Sequence, residues 1–390
     1  MSCVKCNIKQ WLRSIHIITY ILLLTVVLPA LIITSIQREI KKQEKTALVG
    51  GIFVILALPI SIYGITQHMI YYSRPSLQKY VIRILWMVPI YALNAWLGLV
   101  YPNQGIYVDC ARECYEAYVI YNFLVYLFNY LNEEMDLEIN LALKPQIKHS
   151  FPLCWMRNWK MGRELVHNCK HGILQYTLIR PLTTGIAFLC ELKDVYGDGQ
   201  FNANVAFPYI IAVNNLSQFM AMYCLVLFYR ANREELRPME PIGKFLCIKA
   251  VVFFSFFQGV LIAIAVNTGV LDFLYDPGSE HSVTALANKL QNFLICIEMF
   301  LAAIAHRYSF SHEPYVNDLV EKRTLCDAFV AMWDVSDVQA DLKEHFGVVG
   351  NSISNFNRQI RGVRDSSSSS SASTALLSKT SSSGYNTIDA

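Results

Sequence analysis

Residues 106–130 read IYVDCARECYEAYVIYNFLVYLFNY. The second half is an aromatic and aliphatic run long enough to enter a bilayer, whereas the first half sets Asp109, Arg112, Glu113 and Glu116 within eight residues. An ionisable group at the centre of a spanning helix costs about 2.5–3.5 kcal/mol on insertion scales and is retained where it faces a bundle interior or a wet cavity. The stretch therefore predicts a spanning helix that begins at the rim of a polar cleft. Asp109, Arg112 and Glu113 are expected at the outer water interface, with the helix entering the membrane near Cys114 and Glu116 as its first costly group.

The rest of the chain fits a membrane composition. Of its 390 residues, 54% are hydrophobic and 16% charged, against about 25% charged in soluble domains. A formal charge of +3 with no basic and aromatic recognition pattern gives no reason to expect nucleic acid. The eleven cysteines are scattered and support no disulfide framework. Those at 190, 224, 247 and 296 lie in apolar runs, as small packing residues do. No HExxH, GxSxG or Walker loop occurs, so neither an enzyme nor a cofactor is expected. Cys3-x-x-Cys6 is a single pair and cannot complete a tetrahedral metal site.

Apolar runs long enough to span occur at Ser14–Ile36, 47–72, 82–101, 112–131, 171–192, 206–229, 244–268 and 286–307. Lys and Arg concentrate in cytoplasmic loops. Arg74 and Lys79, the six basic residues between 144 and 170, and Arg230, Arg233 and Arg237 therefore place three connections in the cytosol. Asp272, Asp276 and Glu280, and Asp194 and Asp198, place two others outside. The first run is read as a retained signal anchor with a cytosolic N-terminus. The basic loop that follows it, Arg38 to Lys45, would then lie on the wrong side, so seven or eight spans stay open while the seven-run core holds. The expected fold is all-α: a polytopic membrane helical bundle with a seven-helix core plus an N-terminal helix. Residues 1–46 form the N-terminal part, 47–310 the core, 311–364 a cytosolic helical segment and 365–390 a Ser-rich disordered tail. Leu325, Phe329, Met332, Trp333, Val338, Leu342 and Phe346 predict one amphipathic helix after the core.

At about 1.5 Å per residue across a core of about 30 Å, a polar residue about ten positions into a span lies near the midplane. Asn94, Arg180, Asn214, Asn215, Gln218 and Glu298 all meet that condition, on four different runs. Arg180 and Glu298 are the expected ion pair of this layer, while Lys249 and Glu116 are placed nearer opposite faces. Two readings stand: interhelical bonds worth about 0.6 kcal/mol each, or a polar cleft for a substrate, ion or lipid headgroup. Pro89 and Pro181 lie inside spans, where each frees a carbonyl four residues earlier.

Several longer words carry a resemblance. Arg83-Ile-Leu-Trp-Met-Val-Pro-Ile-Tyr91, Ile106 to Phe123, Leu174-Gln-Tyr-Thr-Leu-Ile-Arg-Pro181, Gly243 to Lys249, Phe293 to His306 and Ala331 to Ser336 resemble the transmembrane protein 184 family. That family is related to organic solute transporter subunit alpha. The similarity runs in order over about residues 45–340. It implies a seven-helix core beginning with the 47–72 run, facilitated movement of bile acids and steroid conjugates in the transporter relatives, and a small single-span beta-type partner. Roles in endosomal or vesicle traffic are associated with the 184 branch. Asn94 stands where family members commonly have Asp. The relatives' lipid-modified cysteine cluster is reduced here to Cys154 and Cys169, of which Cys154, beside Trp155, is the lipidation candidate.

The sequence thus points to a multi-pass protein of an endomembrane (endosome, Golgi, vacuole) or the plasma membrane. It is expected to bind or move an amphipathic organic solute or lipid in a groove lined by Asn94, Glu113, Glu116, Arg180, Asn214, Gln218 and Glu298. Membrane lipid, a beta-type subunit or a second copy are the expected partners. The alternative is a membrane scaffold or receptor-like protein whose terminal helix and tail recruit trafficking partners.

Overall fold

The structure, a computed structural model, describes residues 11, 14–37, 42–102, 105–149, 151, 153–193, 195–197, 202–267, 283–316 and 325–347. Cys3 and Cys6, the acids Asp272, Asp276 and Glu280, and the 365–390 tail lie outside the described residues.

Among the described residues the chain is helical and has no strand. The long elements are α1 (Ser14–Thr34), α2 (Lys42–Ile70), α3 (Pro75–Leu85), α4 (Met87–Val100), α5 (Gly105–Glu134), the short α6 (Leu137–Leu143), α7 (Arg163–Glu191), α8 (Phe207–Ala231), α9 (Pro241–Asn267) and α10 (Val283–Ser309), followed by α11 (Leu325–Trp333). Six segments of the described residues are long and apolar enough to cross a membrane: α1, α2, α3 with α4, α7, α8 and α10. Helices α5 and α9, of 30 and 27 residues, occupy the other two expected positions. The charges at the start of α5 lower its apolar character, as its sequence foretells.

Packing follows from which faces are small. Helix α5 lies against α3, α4 and α7; α7 pairs with α8; α10 packs on α2, α4 and α9. A side chain at Gly172 on α7 would collide with Cys224 on α8, so glycine sets how closely those two helices approach. A side chain at Gly98 would likewise meet Asn292 across the α4–α10 contact.

Three boundaries differ from expectation. The predicted 82–101 span begins at Pro75 and is divided at Trp86 into α3 and α4. Pro89 has no N–H for the Leu85 carbonyl, so the ladder is interrupted one turn before the proline. Helix α5 begins at Gly105, ahead of the predicted run at 112–131. The terminal amphipathic pattern is not one helix: α11 ends at Trp333, and the helix 336–347 belongs to a second compact unit beginning at Val335.

The basic connections share one end of the first unit. Arg74, just before α3, reaches Glu133 at the end of α5 (Nη1–Oε2 3.4 Å). Ser76 also donates to Glu133. Lys144, just after α6, bridges to Glu235 at 2.7 Å in the α8–α9 connection and donates to the Ala231 carbonyl at 3.0 Å. Asp136 caps α6 by accepting from the backbone N–H groups of Glu138 and Ile139.

Candidate functional site

The costly residue of the opening stretch, Glu116, lies buried on the inward face of α5. Its carboxylate collects groups from three other helices. Lys249 of α9 lies 3.5 Å from Oε1. Gln218 of α8 donates its Nε2 to the same oxygen at 3.2 Å. The Tyr91 hydroxyl of α4 donates to Oε2 at 3.4 Å. One turn away on α5, Glu113 pairs with Arg180 of α7 (Oε1–Nη2 2.9 Å). Directly before Glu113 in sequence, Arg112 sets its guanidinium 5.8 Å from the centre of the Tyr91 ring.

Helix periodicity explains the arrangement on α5. Positions 112, 113 and 116 are related by three and four residues, so they share one face. Two carboxylates and two cations from three helices then alternate in sign, which is how charges are kept inside an apolar bundle. Beside them, Thr183 of α7 donates to Asn214 Oδ1 of α8 at 2.6 Å, and Ser217 donates to Gln175 Oε1 at 2.8 Å. Thr177 on α7 donates to the Ala117 carbonyl of α5 at 3.2 Å. Polar contacts thus join α4, α5, α7, α8 and α9 in one layer.

This geometry corrects two expected pairings. Arg180 is paired with Glu113, not Glu298, and Glu116 and Lys249 are partners rather than groups at opposite faces. Distance along the sequence gives a residue's depth but not its azimuth, and α5 lies against α7 while Glu298 sits on α10. Glu113 meets Arg180 while its own side chain stays 36% exposed. Glu298 is partly buried, and its Oε2 has no hydrogen-bond partner. Asn94 is half-buried on α4, and Asn215 is exposed on α8. Cys154 and Trp155 are both exposed in the connection before α7.

Arg180 is not saturated by Glu113. Its Nε is buried and has no hydrogen-bond partner, although a guanidinium carries five N–H donors. Two residues of the layer, Lys249 and Tyr91, are missing from the groove expected from the sequence; the signal for the second was legible. Tyr91 precedes Asn94 by three positions and so shares a face of α4 with it, a spacing that could have revealed it. His167 and His171 also pair, Nε2 to Nε2 at 2.8 Å on α7. Their i, i+4 spacing is legible, but they lie near the start of the helix and are not part of the layer.

The described residues thus form an all-helical, multi-pass membrane protein with an ionic layer between its helices. Residues 46–315 match the family of the organic solute transporter Ostalpha, and the chain belongs to that family. No solved structure matches the chain.

Proposed function

We propose that this protein is a carrier for an amphipathic organic anion, of the transmembrane protein 184 branch of its family, and that Arg180 receives the anionic group. The supporting observation is the buried, unpartnered Nε of Arg180 beside an ion pair that leaves donors open. Buried polar atoms of folded proteins are nearly always bonded, so a charged donor left over in a bundle interior calls for a ligand. Lys249 and Gln218 engage Glu116, so the hydrogen bonds of that carboxylate are met by groups other than the arginine. The solute's apolar body would lie against the spans, and facilitated diffusion requires no cofactor. Asn94 and Glu298 line the α4 and α10 side of the same groove in this reading. A single-span beta-type subunit or a second copy completes the assembly.

The test is uptake of an anionic steroid conjugate by proteoliposomes. Arg180→Ala is expected to reduce uptake tenfold or more, about 1.4 kcal/mol, with the protein still monodisperse in detergent. Uptake equal to that of the parent protein would eliminate Arg180 as the anion site.

A further inference from the structure

A polar cleft lies away from the Arg180 layer, at the end of the first unit that carries the basic connections. It is an open cleft of about 380 Å³ among the ends of α3, α5, α9 and α10. Its walls present both signs of charge together with aromatic rings: Arg74 and Lys244, Glu240, and Tyr130 and Tyr308.

Glu240 is the informative residue. Among the described residues it is the only non-glycine with positive φ, at 50°. Its N–H bonds the Arg237 carbonyl at 3.1 Å, and its own carbonyl accepts from Lys244 N–H at 3.4 Å, which fixes the bend before Pro241. Glycine takes this left-handed conformation without strain, whereas an L residue does not. The bend alone therefore gives no reason for a carboxylate; within the chain its charge attracts the Lys244 ammonium one turn on, and the two form a dipole on the cleft wall. The cations are also held in place: Lys244 donates to the Met239 carbonyl, and Arg74, bridged to Glu133, keeps a side chain 45% exposed.

A simple anion would meet Glu240, and a simple cation would meet Arg74 and Lys244. A dipolar group that carries a phosphate and a quaternary ammonium satisfies both, and tyrosine faces attract quaternary ammonium through their ring quadrupole. The cleft also lies where the helices end, the depth at which lipid headgroups meet a membrane protein. We propose that this cleft binds a phosphocholine group, its phosphate toward Arg74 and Lys244 and its trimethylammonium toward Glu240 and Tyr308. The inference stands apart from the assignment of Arg180.

The test uses the purified full chain in detergent, titrated with glycerophosphocholine, with inorganic phosphate and choline as separate probes. Glycerophosphocholine is expected to bind. Tyr308→Ala and Glu240→Gln should each weaken it fivefold or more. Tyr308 is 78% exposed, so its removal leaves the core intact. Glu240→Gly relieves the strained bend, so it should raise the thermal midpoint while losing the ligand, which separates a lost site from a misfolded protein. Absence of glycerophosphocholine binding, or equal competition by phosphate or choline alone, would overturn the proposal. Native mass spectrometry after exchange into nanodiscs of equal phosphatidylcholine and phosphatidylglycerol identifies the source. Retained phosphatidylcholine assigns the group to a membrane lipid. Glycerophosphocholine binding with no lipid retained assigns it to a soluble headgroup, and preferential phosphatidylglycerol retention overturns the dipolar assignment.

Discussion

Two arginines, Arg83 and Arg180, are both carried by helices of the bundle, and they are used in opposite ways. Arg83 is 2% exposed, and all three of its nitrogens donate. Nε bonds the Met332 carbonyl at 3.3 Å, Nη1 bonds Asn122 Oδ1 at 3.1 Å, and Nη2 bonds the Asp334 carbonyl. The rings of Tyr80 and Tyr118 lie 5.3 and 5.9 Å from its Cζ, and Trp86 donates to Met332 Sδ. Arg180 bonds one carboxylate and leaves its Nε buried without a partner. The first is a staple, bonded through every nitrogen, between α3, α5 and the end of α11. The second keeps hydrogen-bonding capacity in reserve, and that difference, rather than charge alone, separates a structural arginine from a candidate binding one.

The contrast is most directly broken at the staple. Arg83→Met removes three bonds to a charged donor and leaves two carbonyls and an amide oxygen to find new partners. The expected loss is about 3–5 kcal/mol. It is read as a large fall in the thermal midpoint together with proteolytic cleavage near residue 334. A midpoint close to that of the parent protein would show that Arg83 is not a staple.

A smaller effect is expected on the other side of the comparison. Glu116→Gln keeps an oxygen for Gln218 but deprives the buried Lys249 of its counter-charge, so stability should fall by about 1–2 kcal/mol. Chemical denaturation in a fixed detergent measures this. Pairing of Lys249 with Glu116 is refuted if Lys249→Met with Glu116→Gln is no more stable than the sum of the two single changes.

The smallest effect belongs to the membrane-external pair Lys144–Glu235. Partial burial pushes the Glu235 carboxyl up, but its hydrogen bond and attraction to the Lys144 ammonium outweigh that and hold it below the ordinary value of 4.5. A carboxylate whose pKa is lowered by folding stabilises the fold above its unfolded pKa, and that contribution is lost as pH falls through the lowered value. Lys144→Met should therefore cost about 0.5–1 kcal/mol at neutral pH, reduced by solvent screening. The difference from the parent protein should close in acid below the carboxylate range. A difference that persists in acid would assign the loss to the Ala231 carbonyl bond instead.

These comparisons also show what the chain reveals before folding. Helical segments occupy the positions of the apolar runs, since length and composition suffice to define them. Glu116 could be singled out because a carboxylate in an aromatic run has few tolerable surroundings. The partners could not be read in the same way. Arg180 and Glu298 match in depth, yet α7 faces α5, and only the packing of whole helices decides that Glu113 is the nearer acid. Trp86 was hidden for a similar reason. Pro89 marks an interrupted carbonyl, but the sequence does not fix whether the helix bends or divides there. The break after Trp333 falls where Arg83 draws the Met332 and Asp334 carbonyls toward itself, a contact across 249 and 251 residues that no local pattern encodes.

That separation has a consequence in time. Translation proceeds at about 5–20 residues per second, so roughly 10–50 s pass between the synthesis of Arg83 and that of Met332. Through that interval Asn122 and the rings of Tyr80 and Tyr118 are already made, and the two carbonyls of Met332 and Asp334 are not. The end of α11 thus carries the last of these partners of Arg83 to be synthesised, and a product that stops short of it leaves two bonds of the guanidinium unmade.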